Sequence, residues 1–182
     1  MTNTIAKTGQ QIVLTPDNQV EIREFDIRPP QSNEVLIETT RTLISAGTEL
    51  GTAEQDRRAD VTPGYANVGR IAALGAAVQD YQIGDRVLSL GAHTSHAISS
   101  TLPHRLRPVP SEVTKCPIHA MSVFPWTQQH NREQALAMIA DGRLDLAPLI
   151  SHRMPYTRAA EAYRLLRNQP DQALGVILMW GD

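Results

Sequence analysis

The chain of 182 residues has a single cysteine, Cys116. One cysteine excludes an internal disulfide and any thiolate-rich zinc site. Aromatic side chains make up only 4% of the sequence, so the few present are informative by position. Long apolar runs are absent. "ALGVILMW" falls far short of the ~20 residues that span a bilayer. The N-terminal "MTNTIAKTGQQ" lacks the basic-then-apolar order of a signal peptide. No charge of one sign dominates, since 17 Lys and Arg face 19 Asp and Glu for a net charge of −2. That balance speaks against nucleic acid or an anionic membrane as partner. A cytoplasmic protein is expected.

What is present is ordinary for a globular domain: 41% hydrophobic and 20% charged residues, enough chain to bury a core without staples. The first part reads as strands. "QQIVLTP" and "QVEIREFDI" flank Pro16-Asp17-Asn18, a turn with its preferred residues. Val35 to Ile44 is β-rich, and "VGRIAALGAAV", "GDRVLSLG", "SHAISS" and "HRLRPVP" supply further strands, with Gly75 and Gly84-Asp85 at turns. Gly64 and Gly69 frame a tight segment in which the backbone needs positive φ or close approach. The period then changes. "NREQALAMIADGRLDL" spaces Ala135, Leu136, Ile139 and Leu144 as a helix, with Asn131 as N-cap and Gly142 near its end. "TRAAEAYRLLRNQP" predicts a second helix, capped by Thr157, with Ala160, Tyr163 and Leu166 on one face and Pro170 stopping it. "QALGVILMW" reads as a closing buried strand.

Four of these stretches, in this order, resemble the medium-chain dehydrogenase/reductase family. "NEVLIETTRTLISAGTELG" is similar to its strand and first active-site loop, and "PGYANVGRIAALGAAVQDYQIGDRVLSLG" to the pocket mouth, core strand and Gly-Asp-Arg-Val turn. "RLRPVPSEV" resembles the strand that leads into the nucleotide-binding domain. "REQALAMIADGRLDLAPLISHRMPYTRAAEAYRLL…GVILMW" resembles the C-terminal return to the catalytic domain. The resemblance implies an α+β fold: a GroES-like β-barrel catalytic domain with C-terminal helices and a closing strand. It is read as one domain over 1–182, built from a mostly β part, 1–114, and a part with helices and the terminal strand, 118–182, joined by a splice at 115–117.

Against that family two things are missing. A dinucleotide site needs a glycine-rich turn between strand and helix, usually G-x-G-x-x-G, and this glycine spacing occurs nowhere in the chain. Four residues separate Val113 from Ile118, where a βαβ unit takes about 30 or more. The Rossmann domain is therefore expected to be absent, and no cofactor is expected. Where zinc-dependent relatives place a cysteine and a Gly-His-Glu, the chain reads Ser45-Ala46-Gly47 and Gly64-Tyr65-Ala66. Alanine has no metal-binding atom and tyrosine is a poor zinc ligand, so no bound metal is expected.

The alignment puts Ser45, Thr48, Glu49, Tyr65, Asn67 and His93 at the old cleft. Glu49, Tyr65 and His93 are the catalytic candidates, a carboxylate, a phenol and an imidazole suited to general acid–base work. Each has a plainer alternative: Glu49 as a cap of its own turn, Tyr65 as a ring packed at the rim, His93 as a satisfied core group. Ser45, Thr48, Asn67, Phe124 and Trp126 are substrate-binding candidates. Phe124 and Trp126, with His119 and His130, follow the splice, where they line a pocket, cover apolar surface or form a dimer seam. His152 is read as structural and Cys116 as an inert thiol.

Three functions remain open at this point. The favoured one is a cofactor-independent enzyme, a cyclase, isomerase or lyase acting on a small-molecule substrate, derived from a dehydrogenase that lost its nucleotide domain. The second is a truncated or split zinc-less oxidoreductase, and the third a non-catalytic binding domain. A homodimer is expected, because loss of the nucleotide domain leaves an edge to cover.

Overall fold

The computed structural model describes residues 6–50, 59–111, 113 and 128–181. Strands β1 (Thr8–Leu14) and β2 (Val20–Asp26) form an antiparallel hairpin with Ile12 opposite Ile22. Asn18, at φ 62, turns the hairpin in a left-handed conformation that asparagine tolerates better than most residues.

Seven further strands form one sheet: β3 (Glu34–Ile44), β4 (Asn67–Leu74), β5 (Arg86–Ser89), β6 (His96–Ser100), β7 (Leu106–Pro108), β8 (His152–Pro155) and β9 (Val176–Met179). Strand β3 is the spine. One edge pairs with β4; the other is shared, by β6 along Glu34–Glu38 and by β9 along Arg41–Ile44. The β3–β4 register shifts between Thr39 and Arg41, and glycine is needed beside that shift. A Cβ on Gly69 would lie 2.2 Å from the Glu38 carbonyl oxygen.

Helix α1 (Gln128–Ala140) and helix α2 (Ala159–Asn168) cover the sheet. Adjacent residues of β3 and β9 point to opposite faces, as strand geometry requires. Leu43 and Ile177 join Val68, Leu88, Leu136 and Ile139 in one buried cluster, under α1. Ile44 and Leu178 join Ile12, Met154, Tyr163 and Leu166 in another, under α2. A third cluster, Val35, Ile37, Ile71, Val87 and Leu106, fills the far end. Full burial of each such side chain stabilises by roughly 1.5–3 kcal/mol. The class is α+β, as the strand-then-helix order predicts, and β9 returns the C-terminal segment to the spine strand of the N-terminal one.

Three local expectations need correction. Helix α1 begins at Gln128, so Asn131 lies inside it and does not cap it. Thr157 sits within a 3₁₀ turn, Tyr156–Arg158, and the N-cap of α2 is Arg158, without a side-chain capping bond. Ala160 is exposed; the buried face of α2 is Ala159, Ala162, Tyr163 and Leu166. The splice at 115–117, with Cys116, lies outside the described residues.

Candidate functional site

At the end of β3 the chain enters a single π-helical turn, Ala46–Leu50, a geometry that often marks functional segments. Glu49 closes this turn on itself. Its amide donates to the Ser45 carbonyl at 2.8 Å, and its Oε1 accepts from the Ser45 amide at 2.8 Å. The carboxylate then points inward and is only 4% exposed. Its Oε2 accepts the hydroxyl of Tyr163, from α2, and lies 3.0 Å from Nε2 of His93. His93 and Tyr163 are 0% and 1% exposed.

Burial alone would raise the Glu49 carboxyl. The His93 contact, the Tyr163 hydroxyl and the Ser45 amide together outweigh it and hold the carboxyl below its ordinary value. A carboxylate only accepts, so His93 donates through Nε2. Among the described residues its Nδ1 has no partner; it faces Gly64, where a Cβ would come within 3.0 Å of Nδ1 and 2.8 Å of the His93 amide nitrogen. Gly64 also has φ 99, open to glycine alone at little cost.

His93 ties three loops together. Its amide donates to Pro63 at 2.8 Å, its carbonyl accepts from Ile12 at 2.9 Å, and the nearby Gly91 amide donates to Tyr65 at 3.3 Å. The loops 45–50, 63–67 and 91–93 thus meet around one buried carboxylate.

The sequence candidates do not all share one concavity. Glu49 and His93 are brought together. Tyr65, half-buried, packs instead on the α1-side cluster with Leu43 and Val68. Asn67 is fully buried, accepts the Ser89 hydroxyl at Oδ1, and has its Nδ2, beside Gly91, without a partner among the described residues. Ser45 is half-buried just before the π-helical turn. Thr48 lies in the π-helical turn, but its side chain, like Phe124, Trp126, His119 and the side chain of His130, falls outside the described residues. His152 accompanies Ser151, Nδ1 to Oγ 3.0 Å, on edge strand β8, two strands from the end of β3. Sequence reasoning missed Tyr163 as a site residue, although a tyrosine on a buried helix face must find its hydroxyl a partner.

No family model matches the chain. Over 76 residues it is 38% identical to L-threonine 3-dehydrogenase from Stenotrophomonas maltophilia (strain K279a), a match covering 38% of this chain and 22% of that protein. Its structure is similar to alcohol dehydrogenase TADH from Thermus sp. ATN1, with TM-score 0.78 and 12% identity over 93% of this chain and 99% of that one. The fold is that of the medium-chain alcohol dehydrogenases. A further solved structure, the CurF ER cyclopropanase from the curacin A biosynthetic pathway, is similar with TM-score 0.51 and 20% identity, over 64% of this chain and 39% of that one. The sequence match thus spans about a fifth of the threonine dehydrogenase.

A medium-chain alcohol dehydrogenase fold implies a nicotinamide dinucleotide and, in many members, zinc. Among the described residues one βαβ unit exists, β8–α2–β9 with parallel strands. Its strand-to-helix turn is Pro155-Tyr156-Thr157-Arg158, without glycine, and the Tyr156 ring is stacked on Trp180 at 4.5 Å between centroids. A pyrophosphate needs bare backbone at that turn, so these residues do not fit the nucleotide. Nor, among the described residues, do three or more His, Cys, Asp or Glu side chains group so as to hold a metal ion.

Proposed function

We propose that this chain is a small-molecule-binding catalytic domain of oxidoreductase type, whose hydride chemistry depends on a nucleotide-binding module that its own residues do not provide. The observation that carries this reading is the convergence of three loops on Glu49 and His93. A buried carboxylate with an engaged histidine fixes the backbone of the loops that frame the pocket mouth, and Ser45 and Tyr65 sit on those loops. In this reading Glu49 and His93 are positioning residues. At 4% and 0% exposure, neither meets a substrate atom without the loops opening. Tyr65, half-buried on the 63–67 loop and packed on the α1-side cluster, is the residue assigned to touch substrate, as a hydroxyl donor to a carbonyl or alcohol oxygen.

The test is direct. Titration of the isolated chain with NADH and NADPH, followed by nucleotide fluorescence, is expected to show no saturable binding. A panel of small alcohols, ketones and hydroxy acids is expected to include one that raises the melting temperature of the wild-type chain and not of Tyr65→Phe. Nucleotide binding by the lone chain overturns the proposal.

A second reading, cofactor-free cyclase, isomerase or lyase chemistry at the same mouth, draws support from one observation. A solved structure of similar fold is described as a cyclopropanase rather than a dehydrogenase. Turnover of a candidate substrate by the chain without any nucleotide, lost in Tyr65→Phe, favours it over the first.

A further inference from the structure

Away from the Glu49 site, a cleft of about 460 Å³ opens between edge strand β8 and helix α2. Its volume lies in the range of small-molecule sites. Met154, buried, and Leu165, half-buried, are its apolar lining, and the exposed Arg153 and Arg164 lie along its edge on strand and helix. The one carboxylate lining it, Glu161, is already held by Arg158, whose Nε donates to Oε2 at 2.7 Å and whose Nη2 donates to Oε1. Neither Arg153 nor Arg164 has a hydrogen bond or ion pair among the described residues. Three arginines and one glutamate therefore line the cleft, a formal excess of about two positive charges, with Arg164 also acting electrostatically on Glu161. The neutral donors Asn168 and Gln169 complete the wall.

Unpaired like charges facing one cavity repel each other, and a shared anion removes that repulsion. Guanidinium groups bind planar or tetrahedral oxyanions through paired N–H donors. We infer that the β8–α2 cleft is a binding site for a small molecule bearing a doubly charged oxyanion, held between Arg153 and Arg164 with its apolar part on Met154 and Leu165. The site is independent of the Glu49 site and of the function proposed for it. Phosphate and dicarboxylate groups share this chemistry.

The experiment is calorimetric titration of the full chain with inorganic phosphate and, separately, with malonate. Saturable one-to-one binding of at least one probe is expected, and which one binds identifies the anion class. Arg153→Gln and Arg164→Gln are expected each to weaken it about tenfold or more, as loss of a charge-assisted bond implies. Both positions are exposed, so unchanged melting temperatures keep the comparison clean. Arg164→Lys retains the charge and is expected to recover part of the loss. Arg23→Gln, on β2 and paired with Glu21 and Asp60, is expected to have no effect. Absence of saturable binding of both probes, or an equal loss in Arg23→Gln, overturns the inference. So does arginine-dependent binding of an acidic peptide in place of either probe, which would make the cleft a protein-docking surface.

Discussion

The hydroxyl of Tyr163 donates to the same Glu49 oxygen that His93 approaches, across 114 positions of chain. One buried carboxylate oxygen thereby joins the terminal helix, the loop after β3 and the loop before β6. The terminal helix thus helps to fix the loops around Glu49 as well as covering the sheet. Its apolar face holds it on Ile44 and Met154, and its one buried hydroxyl sets its register against the π-helical turn.

Removing that hydroxyl is expected to cost more than an average hydrogen bond. Tyr163→Phe keeps the packing and leaves a buried charge with one donor fewer, a loss of about 1.5–3 kcal/mol. Urea unfolding of the variant and the wild type, with unchanged slope, measures it. A change below about 0.5 kcal/mol, within the usual surface-substitution range, would show that the contact is not made. If the helix fixes the loops around Glu49, any ligand that binds there is weakened in the same variant.

The carboxylates give the pH dependence its sign. Arg28 beside Glu34, with the Gln31 amide, lowers the Glu34 carboxyl from 4.5 to about 2, and the Glu49 carboxyl is lowered too, its donors outweighing burial. A folded-state value depressed below the unfolded one contributes stability that is complete above the unfolded value and lost as pH falls through the folded one. The contribution of these two carboxylates is therefore expected to be complete above about pH 5 and to decline below the ordinary carboxylate value near 4.3. His96, whose imidazole burial holds below its ordinary value, adds a loss that begins as pH falls below about 6.5. For Glu34 the decline extends toward pH 2. Arg28→Gln removes the principal cause at Glu34 and is expected to flatten its share of the slope. Denaturant titrations at successive acidic pH values check both.

Two glycines with positive φ separate strain from clash. Gly84, at φ 92, has nothing within 4 Å of an added Cβ, whereas Gly64, at φ 99, would drive a Cβ onto the His93 backbone at 2.8 Å. Gly84→Ala is expected to cost only the left-handed penalty of about 1–2 kcal/mol. Gly64→Ala adds the displacement of His93 from Glu49, and its loss in thermal melts is expected to be clearly larger. Equal losses would mean that the 63–67 loop yields without disturbing His93.

The sequence made some of this legible and not the rest, for reasons the residues show. Strands such as Glu34–Ile44 and Arg86–Ser89 announce themselves because alternation and turn residues are local properties. The positive-φ turns at Gly84 and Gly142 follow from local chemistry as well. The caps did not. Thr157 looks like an N-cap, but it lies inside a 3₁₀ turn, Tyr156–Arg158, that carries the Tyr156 ring stacked on Trp180, and the helix starts after Arg158. At the site, Glu49 and His93 were named as residues but not as neighbours of Tyr163, because the three meet only through the return of the terminal segment to β3. Alignment with the family groups Tyr65 with them, yet its side chain packs on the α1-side cluster rather than with Tyr163.

The Tyr156–Trp180 stack itself yields the last prediction. The rings lie 4.5 Å apart and nearly parallel, at 6°, and the Trp180 indole Nε1 donates to Thr42 Oγ1 at 2.9 Å. The stack couples the β8–α2 turn to the end of β9, and through Thr42 to the spine strand. Offset or stacked aromatic pairs contribute about 0.5–1.5 kcal/mol beyond their burial. A double-mutant cycle with Tyr156→Ala and Trp180→Ala is therefore expected to return a coupling energy of that size from urea unfolding, since contacting residues are non-additive. Thr42→Val, which removes the indole's acceptor and keeps the shape, is expected to cost a further ~1 kcal/mol. Strictly additive losses for the ring pair would mean that each ring packs only against the sheet, and that the turn is held without the stack.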